Sequence, residues 1–166
     1  MKMKKVLTGL VLFGATLALV ACGNSSSTTT SSSSEASTTV EATSVWMDGT
    51  YTGESDYDER GWKVVHSITI KDGKITESAF GYADKDGNLK ADNEEYNTAM
   101  KDKSGVSSKE ATEQLNAQLV ETQDVDAVEV VSGATHTSTN FTTATKALLA
   151  AAEKGNTDPV TFDLGE

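Results

Sequence analysis

Trp62-Lys63-Val64-Val65-His66-Ser67-Ile68-Thr69-Ile70-Lys71-Asp72-Gly73-Lys74-Ile75 is the stretch that decides the fold. Val64, His66, Ile68 and Ile70 alternate with Val65, Ser67 and Thr69, the two-residue period of a strand with one buried face. Asp72-Gly73 is a strong hairpin signal, so a second strand is expected from Ile75 to about Tyr82. Upstream, Tyr51-Thr52 is a short β-favouring pair behind the turn-like Asp48-Gly49. Downstream the period changes after residue 91. Asp92 and Glu95 read as the capping box of a short helix with Tyr96, Ala99 and Met100 on one face, stopped by Gly105. Ser107 and Glu110 form a second box, ahead of Ala111, Leu115, Gln118 and Leu119 at helical spacing. Val128, Val130 and Val131 suggest a short buried strand, and Ser132-Gly133-Ala134-Thr135 a loop. A final helix is expected from about Ser138 to Lys154, with Phe141, Ala144, Thr145, Leu148 and Ala152 on one stripe. Val160 to Leu164 reads as an added edge strand. The expected fold is α+β: a single small domain, a mainly antiparallel sheet with helices packed on it.

The segments outside this domain have their own signatures. Residues 1–21 read as a lipoprotein signal peptide. Lys2, Lys4 and Lys5 form a positive start, and Val6 to Val20 is an apolar run too short for a membrane span, which needs about 20 residues. Leu19-Val20-Ala21-Cys22 resembles a lipobox, which makes Cys22 the lipid attachment point. Residues 22–45 are the lipidated Cys and a Ser/Thr-rich disordered linker. Fifteen of the residues 23–44 are Ser or Thr, so the segment cannot bury enough apolar surface to order itself. As a coil it reaches roughly 25 Å, a tether between a membrane and the domain at 46–155. Residues 156–166 are a C-terminal tail.

The whole chain of 166 residues has a net charge of −11. Setting aside the three lysines of the leader leaves 11 basic against 25 acidic side chains, a net charge of −14. Such a chain has no basic surface with which to neutralise nucleic-acid phosphates, so nucleic acid is excluded as a partner. One cysteine cannot form a disulfide framework or a Cys-based metal site.

Independent enzyme chemistry finds little support. His66 and His136 are far apart, with no acidic pair to orient either. His66 falls in the apolar register of its strand, as a hydrogen-bonded core histidine does. Asp84, Asp86, Asn88, Asp92 and Glu95 approximate a calcium-loop spacing, but the required glycine is misplaced, and a solvated acidic turn is the better reading. The segment Val130 to Ser138 is different. It sets small residues and hydroxyls before a helix start. Helix N-terminal amides attract phosphate, and a phosphate on Thr135 would meet the amides around Thr137 to Asn140. The same segment also reads as a plain turn with Thr137 or Ser138 as N-cap.

Ser132-Gly133-Ala134-Thr135, followed by Thr137-Ser138, resembles the flavinylation motif of the FMN-binding domain family. That family includes the C subunit of sodium-pumping NADH:quinone reductase, the G subunit of the Rnf complex and electron-transfer lipoproteins of Gram-positive bacteria. Asp48-Gly49-Thr50-Tyr51-Thr52-Gly53, the hairpin Ile68 to Ile75, and Glu95 to Met100 with the Ser107 helix resemble other parts of it, so the likeness spans about residues 46–154. Glu129 stands where the family often has Asp. The resemblance implies FMN joined covalently to Thr135 through a phosphoester, with Ser132, Gly133, Ala134, Thr137 and Ser138 around it. It implies a separate FMN transferase using FAD and Mg²⁺, a lipid anchor on the outer face of a Gram-positive membrane, a quinone-linked electron donor and an extracellular acceptor such as ferric iron. Trp62, Tyr82 and Tyr96 are the aromatic candidates for contact with the flavin ring. The alternatives are a lipoprotein that binds FMN or another small ligand reversibly and, as an added role, a peptide pheromone released from around Leu12 to Ala21.

Overall fold

The hairpin forms as the alternation demands. A computed structural model describes residues 46–165, so the leader, Cys22 and the linker lie outside the described residues. Strand β2 spans Lys63–Lys71 and β3 spans Lys74–Ala83, joined by Asp72 and Gly73 with φ of 51° and 66°. Positive φ at both turn residues matches the twist of the flanking strands. The Asp48 carboxylate accepts both turn amides, from Asp72 and Gly73, at 2.9 Å. Those two bonds hold the Asp48 carboxyl below its ordinary pKa.

Strand β1, Gly49–Glu54, pairs antiparallel with β2, and the short β4, Val160–Thr161, pairs parallel with β1. The sheet order is β3-β2-β1-β4, mainly antiparallel. The expected edge strand at Val160 to Leu164 is thus present in its first two residues. A bulge opposite Thr69/Ile70 places an extra residue, Thr76, in β3. Without it, Ile75 and Phe80 would point to opposite faces; with it, both are buried.

Three helices follow: α1 Glu94–Ser104, α2 Ser108–Thr122 and α3 Thr135–Glu153. Leu115 and Leu119 of α2 and Phe141 and Leu148 of α3 share one core with Tyr51, Val64, Ile68 and Ile70 of the sheet. Ser107 and Glu110 make the expected capping box, and Gly105 closes α1 in the left-handed region. The N-cap of α1 is Asn93, one residue beyond the expected Asp92. Its side chain accepts the Tyr96 amide at 2.9 Å, while Asp92 belongs to a 3-10 turn at Lys90–Asp92. No strand forms at Val128 to Val131. A 3-10 turn, Val125–Ala127, leads into extended chain in which Val130 is exposed and only Val131 is buried. An alternating Val pattern needs a partner strand to become a strand. Here the backbone of Glu129 is instead engaged by Gln118 of α2, at 2.7 and 3.5 Å.

The free edge of β3 is closed by side chains. Asn116 of α2 accepts the Phe80 N–H at 2.8 Å, and its amide donates back to Phe80 O at 3.2 Å. Two turns on, Gln123 does the same for Ile75, with both bonds at 2.8 Å. Two carboxamides thus imitate a neighbouring strand and block edge pairing. Replacing Asn116 by alanine strands the Phe80 amide and the Ser78 hydroxyl, which donates to Asn116 at 2.7 Å. The expected loss is about 1–3 kcal/mol, read as a lower urea midpoint at unchanged m-value.

His66 lies within this core at 2 % exposure. Its Nε2 is 3.0 Å from Thr145 Oγ1 of α3, and its ring packs edge-on against Phe80 and at a tilt against Phe141. It serves the interior and not a site.

Candidate functional site

Helix α3 begins at Thr135, three residues earlier than expected. Ala134 is its N-cap and offers no side-chain acceptor. The amides that open the helix, which have no intrahelical acceptor at any helix start, are therefore those of Thr135, His136 and Thr137. The expected set, Thr137 to Asn140, lies within the helix. The reason is Ser138. It is buried in the first turn, where its Oγ accepts the Val131 amide at 3.0 Å and donates to Ala134 O at 3.1 Å. A hydroxyl expected as a cap or ligand contact instead ties the approach chain to the helix.

Gly133 explains the shape of the turn. Its φ is +81°, and a Cβ there would come within 2.1 Å of Ser104 O and 3.2 Å of Val106 Cγ1. The glycine allows the Ser132–Thr135 turn to lie directly on the C-terminal end of α1. This is close backbone packing against the protein itself.

That packing builds a cleft of about 1150 Å³. The α3 start supplies Gly133, Ala134, Thr135, His136 and Thr137. Tyr96, Met100 and Lys103 of α1 face it, and Tyr82 and Lys90 line it from the sheet side, with Tyr57 and Arg60 from the β1–β2 loop. Thr135 is exposed at the helix start, open to a reacting partner. Ser132 and Ser138 do not line the cleft. Of the three aromatic candidates, Tyr82 and Tyr96 line it; Trp62 stands behind Lys90, with its ring centroid 4.8 Å from Nζ.

Several cleft residues were not evident in the sequence. Lys90, Lys103 and Arg60 put three cations, against the two carboxylates of Asp58 and Glu59, into one cleft of an acidic domain. Nothing in their spacing marks them, because they come from three separate segments. Asn140 is buried one turn into α3, and its amide reaches Tyr82 Oη and His136 Nε2, each at 3.3 Å. It links the helix start to the aromatic wall. The acidic run behaves as a turn: Asp84 Oδ1 accepts the amides of Asp86 and Asn88, at 2.9 and 2.8 Å, and Asn88 bonds hold its carboxyl below the ordinary pKa. Among the described residues, no cluster of His, Cys, Asp and Glu has the arrangement of a metal site.

An apolar and aromatic wall, a helix N-terminus and three cations together suit an anionic ligand with a flat ring. Comparison with known proteins agrees with that chemistry. A family model described as FMN-binding domain matches residues 61–150, from the loop before β2 through most of α3. The chain is 32 % identical over 114 residues to a 15 kDa lipoprotein of Treponema pallidum (strain Nichols), covering 68 % of this chain and 81 % of the relative. The crystal structure of the CPE2226 protein from Clostridium perfringens superposes with a TM-score of 0.68 at 34 % identity, over 71 % of this chain and 99 % of that one. With the family model covering more than half of its length and most of the cleft built from the matched segment, the chain belongs to the FMN-binding domain family.

Proposed function

We propose that this protein is a membrane-tethered flavoprotein electron carrier with FMN joined to Thr135 through a phosphoester. The observation that carries the reading is the position of Thr135: an exposed hydroxyl on the first residue of an uncapped helix, inside a cleft with three cations. The cleft fits the group. Its volume lies just above the usual range of small-molecule sites, about 300–1,000 Å³. The opening amides of α3 suit the phosphate, and Tyr82 and Tyr96 offer ring faces. In a domain of net charge −14, these local donors oppose the overall repulsion of an anion.

Bound FMN supplies the redox chemistry, and the chain binds and orients it. Thr135 Oγ1 acts once, as the nucleophile that attacks the flavin-side phosphorus of FAD as AMP leaves. A threonine hydroxyl is weak without a base, so the proton passes to a separate Mg²⁺-dependent FMN transferase. The lipobox at Leu19 to Cys22 and the lipoprotein relative support a lipid anchor on the outer face of a membrane. The linker then lets the domain move between a quinone-linked donor and an extracellular acceptor.

The test is the intact mass of the chain after co-expression with an FMN transferase, with in-gel flavin fluorescence after denaturation. A mass increment of one FMN that survives denaturation is expected. Flavin that is released on denaturation, from a chain of unmodified mass, would replace this reading with reversible binding.

A further inference from the structure

Lys90 is the most unusual side chain of the cleft. It is only 8 % exposed, whereas the other two cleft cations, Arg60 and Lys103, are exposed. Its Nζ lies 4.3 Å from the Tyr82 ring centroid, 4.8 Å from Trp62 and 5.3 Å from Tyr96. Burying an ammonium is unfavourable unless something opposes it, and three aromatic faces within 6 Å do so. Three separate segments supply those rings: Trp62 precedes β2, Tyr82 belongs to β3 and Tyr96 to α1. The lysine is therefore held in place by the tertiary fold and carries its charge where water is partly excluded. A fixed charge in such a place acts on a neighbouring group more strongly than a solvated one.

We propose that Lys90 is the residue that sets the reduction potential of the flavin in this cleft. This rests on the reading that FMN occupies the cleft. Two electrons, from a membrane quinol or in the test from dithionite, and one proton convert the neutral oxidised ring to an anion. The Lys90 ammonium attracts the anion more than the neutral ring, so reduction becomes easier. Lys90 is a positioning residue in this sense, since no bond to it forms or breaks.

The experiment is a potentiometric titration of the flavin-loaded protein, with loading checked by intact mass. Lys90→Met is expected to shift the oxidised-to-reduced ratio at fixed potential at least tenfold toward oxidised, about 30 mV for a two-electron couple. Lys90→Arg, which keeps the charge, should stay within threefold of wild type. Lys85→Met removes a solvent-exposed charge that does not line the cleft and should change nothing. Melting of the unloaded proteins separates charge from packing; where Lys90→Met does not fold, Lys90→Gln takes its place. A neutral variant with the wild-type ratio overturns the proposal, as does an arginine variant shifted as far as the neutral one. A wild-type chain with no covalent flavin refutes the attachment reading alone. The same titration with added FMN then decides Lys90.

Discussion

Gly133→Ala is expected to abolish covalent flavin attachment and lower the melting temperature by about 10 °C or more. Two terms add. The residue has φ of +81°, a region that costs a residue with a Cβ about 1–2 kcal/mol. The new methyl also has its nearest neighbour, Ser104 O, at 2.1 Å. That neighbour is backbone, at the end of α1, and cannot swing aside as a side chain could. Overpacking of this kind typically costs about 1–3 kcal/mol, against a total stability of about 5–15 kcal/mol for a domain. The turn relieves the overlap by lifting off α1, which carries Thr135 away from the wall formed by Tyr96, Met100 and Lys103. Thr135→Val is the contrasting variant. It removes the hydroxyl at an exposed position, so attachment should vanish while stability stays within about 0.5 kcal/mol of wild type. Intact mass and thermal melting of the two variants, side by side, check both statements. Full labelling of Gly133→Ala would show that the turn does not need its contact with α1.

Acid should weaken the fold through His66. Burial pushes its pKa down from 6.5 to about 4, partly offset by the Ala79 backbone. The unfolded chain therefore binds a proton at a pH where the folded chain does not. Stability from this residue is full above pH 6.5 and is lost as pH falls toward 4, because protons then favour the unfolded state. The shift corresponds to about 3 kcal/mol at its limit. Urea unfolding between pH 7 and 5 follows the onset of this loss, above the unfolded values of 3.8 and 4.5 at which Asp48, Asp84 and Glu110, all with lowered pKa values, come into play. His66→Gln keeps a hydrogen-bonding group toward Thr145 but does not titrate in that window. Its stability should be nearly flat across it, and an unchanged slope would assign the acid sensitivity elsewhere.

Much of the fold was legible because its signals are local. The alternation in Trp62 to Ile75 needs only one solvent and one core to become a strand. The Asp72-Gly73 turn and the Ser107–Glu110 capping box are made by residues within four positions of each other. Where the reading shifted, a distant residue intervened. The Val128–Val131 pattern found no partner strand. Asn93 replaced Asp92 as the cap because Lys90–Asp92 was taken into a 3-10 turn. Helix α3 began early because Ser138 was claimed by Val131 seven residues away.

The sequence by itself determined an acidic α+β domain and its β2–β3 hairpin, and it singled out Ser132 to Ser138 as a candidate segment. Those follow from periodicity, turn chemistry and composition, which are properties of neighbouring residues. Only the tertiary structure decided which residues of that segment line the cleft and what faces them. It set Gly133 on Ser104, turned Ser138 inward and left Thr135 exposed. It also gathered Trp62, Tyr82 and Tyr96 from three segments around the Lys90 ammonium. A cation held against ring faces by desolvation and packing exists only once the chain has closed around it.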